Sequence, residues 1–168
     1  MGEMDPALAA LEMAIQTELD GHSFYQKFAA RTEDPNAQAM FERLAQDEEM
    51  HLELLRNTKA MLEKSGRWVE YQGVDLETVE GAPIFSRKRV EENIVAYTSD
   101  LSALRMAYLI EKDAVDFYAR AAQETDDLNG KRMFFDLVKM ERGHLDMLEG
   151  EYSFLRTQFQ TAMGFSPF

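Results

Sequence analysis

LEMAIQTELDGHSFYQKFAARTEDPNAQAMFERLAQDEEMHLELL, residues 11–55, has a near-copy 93 residues further on. Residues 104–148 read LRMAYLIEKDAVDFYARAAQETDDLNGKRMFFDLVKMERGHLDML, and the two segments align without a gap over 45 positions, 18 of them identical. The identities include Glu18 with Glu111, Phe24-Tyr25 with Phe117-Tyr118, Met40-Phe41 with Met133-Phe134, Glu48 with Glu141, and His51-Leu52 with His144-Leu145. A repeat of this length fixes the architecture, because each copy is one supersecondary unit that buries its apolar face against the other.

Each copy reads as two helices. Asp5-Pro6 and Asp34-Pro35 pair an N-cap residue with proline at the first helical position. Between them Leu8, Leu11, Ile15, Glu18, His22, Tyr25 and Ala29 recur three or four apart, the stripe of a helix over about 6–31. A second helix is predicted over about 35–64, with Met40, Phe41, Leu44, Glu48, His51 and Leu55 on its stripe and Ser65-Gly66 as its stop. A third runs from about 100 to 124 through Leu104, Tyr108, Glu111, Val115, Tyr118 and Ala122. A fourth spans about 127–159, with Phe134, Leu137, Glu141, His144 and Leu148 turned inward.

The halves, about 5–65 and 100–159, are joined by a crossover over 66–99. There Trp68, Tyr71, Gly73, Gly81 and Pro83 interrupt helical periodicity, and one short amphipathic piece (Val90, Ile94, Tyr97) follows Ser86. The tail from Gln160, ending Gly-Phe-Ser-Pro-Phe, reads as irregular. Short turns make antiparallel neighbours, and the crossover is long enough to run the length of a helix of roughly 45 Å at 1.5 Å per residue. The expectation is an all-α, single-domain, ferritin-like four-helix bundle over 1–168, built from two helical hairpins.

Composition removes whole classes of function. The 168 residues contain no cysteine, which excludes disulfides, thiolate zinc sites, cysteine-bound iron–sulfur or rubredoxin centres, and a thiol nucleophile. Eighteen basic against 31 acidic residues give a net charge of −13, so neither nucleic acid nor an anionic membrane is an expected partner. No run of 18 apolar residues occurs, and the first ten residues lack the basic start and apolar stretch of a signal peptide. A cytoplasmic location is therefore expected.

Chemistry enters through the residues on the inward stripes. Each half offers one Glu on its first helix and a Glu-x-x-His on its second. Residues three apart lie on adjacent turns of one face, so Glu48 with His51 can converge on one ion and Glu141 with His144 on another. Glu18 and Glu111 complete four carboxylates and two imidazoles, the ligand set of ferritin-like di-iron or di-manganese proteins. Four buried carboxylates balance two divalent cations, and without cations some of them would protonate instead. Oxygen and nitrogen donors suit iron, with manganese not separable by ligand type.

A lone Glu-x-x-His is a weak signal. Two in identical register, each with a matched Glu 30 residues upstream, are specific. His22 has Val115 as its counterpart, which favours a surface or supporting role. Tyr25 and Tyr118, two turns beyond Glu18 and Glu111, are candidates to hydrogen-bond the ligands, although aromatics on an inward stripe pack a core by default. Glu42, Glu49, Glu53 and Asp146 read as a solvated face, and the methionines as filling between helices.

The runs ALEMAIQTELDGHSFYQKFAART, QDEEMH, IEKDAVDFYARAAQET and KMERGH resemble the rubrerythrin branch of the ferritin-like superfamily. The resemblance implies a di-iron carboxylate centre with ligands Glu18, Glu48, His51, Glu111, Glu141 and His144. It also implies oxidation by peroxide or dioxygen, re-reduction by an electron donor, and a homodimer. Two departures stand out. Rubrerythrins proper carry a cysteine-rich rubredoxin domain, so here the donor would be a separate protein or flavin-linked cofactor. They also place a further ligand Glu one turn after the third-helix Glu, where this chain has Ala114, with Gly21 at the equivalent place in the first half.

Two functions from different classes remain open at this point. One is an oxidoreductase that reduces hydrogen peroxide or consumes dioxygen at two iron ions. The other is ferritin-like iron oxidation and storage, which Gly164 and Pro167 disfavour by discouraging a fifth helix. A scaffold with a vestigial site is a third, and metal content decides against or for it.

Overall fold

The computed structural model describes residues 5–73 and 94–164. Among these, four long helices account for the chain: α1 (Pro6–Arg31), α2 (Pro35–Ser65), α3 (Ile94–Glu124) and α4 (Leu128–Ala162). Pairs α1·α2 and α3·α4 form the two antiparallel hairpins, and α1 packs against α3 between them. This is the ferritin-like bundle of duplicated hairpins.

Local chemistry sets the ends. The Asp5 carboxylate accepts from the Ala7 N–H at 2.9 Å. Asp34 accepts from Asn36 and Ala37 at 2.8 and 3.1 Å, and its repeat counterpart Asp127 from Asn129 and Gly130 at 2.8 and 3.3 Å. Each satisfies backbone donors that a helix start leaves without a partner. Gly66 closes α2 in the left-handed region at φ 67°, where a residue with a Cβ is strained.

Two boundaries differ from the sequence reading. α3 begins at Ile94, so Ile94 and Tyr97 belong to the long helix and not to a separate short piece; Ser86 and Val90 lie outside the described residues. No glycine or proline separates Ile94 from Asp100, so nothing stops the helix from running through. α4 likewise continues past Phe159 to Ala162, and Gly164 follows at φ 78°. Gly81, Pro83, Phe85 and Pro167 fall outside the described residues.

The interior is layered along the bundle. One apolar cluster gathers Tyr25, Phe41, Leu44, Leu104, Leu148 and Leu155; another gathers Leu11, Leu55, Tyr118, Phe134, Leu137 and Val138. The repeat is visible in the rings themselves. Tyr25 stacks on Phe41 and Tyr118 on Phe134, each at 6.2 Å and 23° between planes. Along each helix a buried inward-facing Glu lies between residues of one cluster and residues of the other, so polar groups occupy the middle of the bundle between two apolar ends.

The connection leaving α2 turns back over the start of α4. Trp68 meets Phe134 edge-on at 6.0 Å. A Cβ on Gly130 would come within 2.7 Å of the Trp68 ring, so the helix approaches the indole only because that residue is glycine. The Tyr71 N–H donates to the Asn129 side chain at 3.3 Å. In the first half the position of Gly130 is held by Ala37, which is buried.

Candidate metal centre

Six side chains from four helices meet inside the bundle: Glu18 from α1, Glu48 and His51 from α2, Glu111 from α3, Glu141 and His144 from α4. All are buried, none more than 7% exposed. They form two overlapping groups, Glu18–Glu48–His51–Glu141 and Glu48–Glu111–Glu141–His144, each offering one ligand atom per residue within 4.8 Å of the others. Glu48 and Glu141 belong to both.

Each group keeps one Glu-x-x-His pair and adds the Glu of the other pair. His51 Nδ1 stands 3.3 Å from Glu48 on its own helix but 3.0 Å from Glu141 on the opposite hairpin, and 3.1 Å from Glu18. His144 Nδ1 stands 3.0 Å from Glu141, 3.5 Å from Glu111 and 3.7 Å from Glu48. The carboxylates of α2 and α4 have two oxygens each and reach the middle, whereas the imidazoles and the α1 and α3 carboxylates flank it. The rings of His51 and His144 lie 5.8 Å apart and 23° from parallel.

The two tyrosines cross over. The Tyr25 hydroxyl donates to Glu111 Oε1, and the Tyr118 hydroxyl to Glu18 Oε1. Each hairpin thus orients the flanking carboxylate of the other. Burial, and then the facing carboxylate, hold both phenols well above their usual range, so both stay protonated donors. Their rings also pack the core, so the hydrogen-bonding and packing readings are both satisfied.

Groups within the cluster shift one another's protonation in both directions. Burial and then the neighbouring Glu141 push Glu48 well above the normal carboxylate range, and the same two causes raise Glu111 to about 7. Burial alone would lower the two histidines, but the carboxylates around them outweigh it and hold both well above normal, Asp47 contributing most at His144. Glu141 goes the other way: burial opposes its ionisation, but His51 and His144 hold it well below the usual range. Without a cation, the cluster takes up protons to offset its own repulsion.

The donor set fits a metal. Both oxygens of Glu141 and Nδ1 of His144 are buried without a hydrogen bond, although the histidine nitrogens approach Glu141 to 3.0 Å. Each Nδ1 faces three carboxylates and carries at most one proton, so proximity here cannot be turned into full hydrogen bonding. Convergent lone pairs with no proton to share are what a cation satisfies, and oxygen with imidazole donors suit iron or manganese. The helix backbone at Gly21 lies against Glu48, where a Cβ would stand 3.5 Å from its carboxyl carbon. Ala114 is buried at the matching place. Neither position adds an acid, so the cluster counts six side chains able to ligate.

His22 stands apart, its Nε2 3.3 Å from the exposed Glu49, beside an outer groove of α1 and α2 lined by Gln26 and Glu42. Glu42, Glu49, Glu53 and Asp146 are all exposed. Two residues near the site were not read as site residues from the sequence. Asp47 reaches across to His144, with Oδ2 3.4 Å from Nε2. Tyr71 lies on the other side with its hydroxyl buried, its ionisation opposed by burial and by Asp136, and within electrostatic reach of His51. For Asp47 a signal existed: it precedes a ligand Glu and interrupts the repeat, Met140 being its counterpart. Nothing in the helical pattern points to Tyr71, which lies beyond α2.

The fold and these ligands define a protein of the ferritin-like carboxylate class. The family model for rubrerythrin matches residues 9–152, and the chain belongs to that family. A solved structure of a hypothetical protein from Pyrococcus furiosus superposes with a TM-score of 0.68 at 24% identity, covering 90% of each chain; it supports the fold alone. No curated protein matches the chain. No helix among the described residues is long and apolar enough to cross a membrane.

Proposed function

We propose that the chain is a non-haem di-iron oxidoreductase that reduces hydrogen peroxide, or consumes dioxygen, with electrons supplied from outside these 168 residues. The single observation carrying this reading is the overlap of two four-ligand groups through Glu48 and Glu141. Carboxylates common to both groups would let two ions, once bound, act together on one small oxidant, which isolated sites would not do.

Bound iron would supply the two electrons that cleavage of the O–O bond takes; with two protons, one hydrogen peroxide becomes two waters. The chain's part is positioning and proton control. Tyr25 and Tyr118 hold Glu111 and Glu18 by a hydrogen bond to one oxygen each; in Glu18 the other oxygen faces His51, whereas in Glu111 the bonded oxygen itself faces His144. Glu48 and Glu141 face both histidines and can rebalance between the two positions as charge changes. Apolar layers around the cluster keep bulk water away and strengthen every charge interaction inside. The absence of cysteine means that no rubredoxin-type iron centre is built from these residues.

Anaerobic protein loaded with two equivalents of Fe(II), then mixed with peroxide or with dioxygen, tests the reading. Peroxide should oxidise it many-fold faster than the Glu48→Ala, His51→Ala double variant; equal rates overturn the proposal. Uptake of hundreds of iron ions per chain would point to storage instead.

A further inference from the structure

The repeat makes the ligands of the two metal positions equivalent, but not what stands behind their histidines. His144 directs Nδ1 at Glu48, Glu111 and Glu141 and Nε2 at Asp47 Oδ2, 3.4 Å away. Asp47 lies on α2, so the contact spans the two hairpins. Its side chain is 25% exposed, whereas that of His144 is 9% exposed, so the aspartate links a buried imidazole to the rim of the bundle. If Nδ1 carries a metal, Nε2 must carry the proton, and a carboxylate is the strongest acceptor available to it.

The corresponding position in the second half is Met140, a thioether packed against the apolar cluster of Leu11, Leu55 and Tyr118. Methionine sulfur is a weak acceptor and bears no charge. The environment of His51 includes instead the phenol of Tyr71, itself beside Asp136. The repeat register therefore places a carboxylate behind His144 and a methionine at the matching place in the other half.

We propose that Asp47 is a positioning residue for His144, fixing its tautomer and ring so that the Glu111–His144 position binds a divalent cation before, and more tightly than, the Glu18–His51 position. The proposal rests on the metal-centre reading above. A carboxylate behind a ligating histidine fixes ring orientation and raises ligand basicity, and loss of such a partner weakens metal affinity about 10–100-fold.

Cobalt(II) is the probe, followed by visible absorption and calorimetry as it is titrated into metal-stripped protein. The wild-type chain should take two equivalents in two separated steps. Asp47→Ala should weaken the first step about 10–100-fold, merging it with the second, while Asp47→Asn, which keeps an acceptor oxygen, should recover part of the loss. The steps are assigned with ligand variants. In Glu18→Ala, which keeps the His144 side, Asp47→Ala should weaken the remaining ion; in Glu111→Ala, which keeps the His51 side, it should change affinity by less than twofold. Equal loss in both backgrounds, or none in either, overturns the role of Asp47 while the metal reading stands. Wild-type protein that binds less than one equivalent overturns both. Recovery by Asn separates positioning from a packing role, since Asp47→Leu fills the space without recovering affinity.

Discussion

The two hairpins match in what they hold and differ in what surrounds it. Glu18 and Glu111, Tyr25 and Tyr118, and the two Glu-x-x-His pairs occupy equivalent places, down to the same stacking geometry of Tyr25 on Phe41 and Tyr118 on Phe134. Around them the halves diverge. Asp47 faces His144 where Met140 is its counterpart, and Trp68 lies on Gly130 where the first half has Ala37. Groups that must converge on a shared object are held to symmetry by geometry. Groups one layer out are free to differ, and they decide whether equivalent ligands behave equivalently.

The largest effect should come from the residues common to both halves of the site. Glu48→Ala or Glu141→Ala removes a ligand from both groups and should leave well under one metal per chain by elemental analysis. Glu18→Ala or Glu111→Ala should leave about one. If all four variants retain the same metal content, the sharing of Glu48 and Glu141 is wrong.

Metal removal comes next, and its effect should grow with pH. Glu111 is raised from 4.5 to about 7 in the folded chain, so the proton it holds stabilises the metal-free fold fully below pH 4.5 and progressively less as pH rises through 7. Glu48, His51 and His144 are also raised and act in the same direction. Glu141 is lowered, so its contribution is lost only as pH falls below the ordinary carboxylate range. Metal binding releases those protons and strengthens with pH. The gap in melting temperature between metal-bound and metal-free protein should therefore widen from pH 5 to pH 8. It should reach about 10 °C when free metal exceeds Kd a thousandfold, a stabilisation of about 4 kcal/mol. A gap that narrows with pH contradicts the proton accounting.

The divergent surroundings give a smaller effect. Gly130→Ala drives a Cβ into the Trp68 ring and should destabilise the fold by about 1–3 kcal/mol in urea denaturation. Ala37→Gly, its counterpart, should cost about 1 kcal/mol or less, through helix propensity near a helix start. Similar losses would mean that the connection does not bear on α4. The smallest difference is expected where the repeat is strict. Asp34→Ala and Asp127→Ala each remove a cap bonded to two N–H groups and should each destabilise by about 1 kcal/mol.

The helices and the six side chains that meet inside the bundle were legible in the sequence because both obey short rules. Asp34-Pro35 marks a helix start, and a period of 3.6 puts Glu48 and His51 on the face that also carries Leu44 and Leu55. The 93-residue register then ties Glu111, Glu141 and His144 to the same layer. What was not legible depends on contacts between helices. Which carboxylates are shared follows from how α2 and α4 face each other, and no spacing along one chain states it. The pairing of Tyr25 with Glu111, and not with the nearer Glu18, is likewise a property of the packed bundle. The extra turn and a half at the start of α3 was hidden because Ile94 and Tyr97 read equally well as part of a separate short amphipathic piece.

The crossed hydrogen bonds of Tyr25 and Tyr118 carry a consequence for assembly. Neither hairpin completes its own half of the cluster: α1 supplies Glu18 but relies on α3 to hold it, and the reverse holds for Glu111. The centre is therefore an interface between two near-copies, and the chain works as a tethered pair of protomers. The tether between the hairpins sets their effective concentration. Two separate polypeptides ending and beginning within it, one bearing α1 and α2 and the other α3 and α4, would have to find each other before either could hold an ion in a finished site.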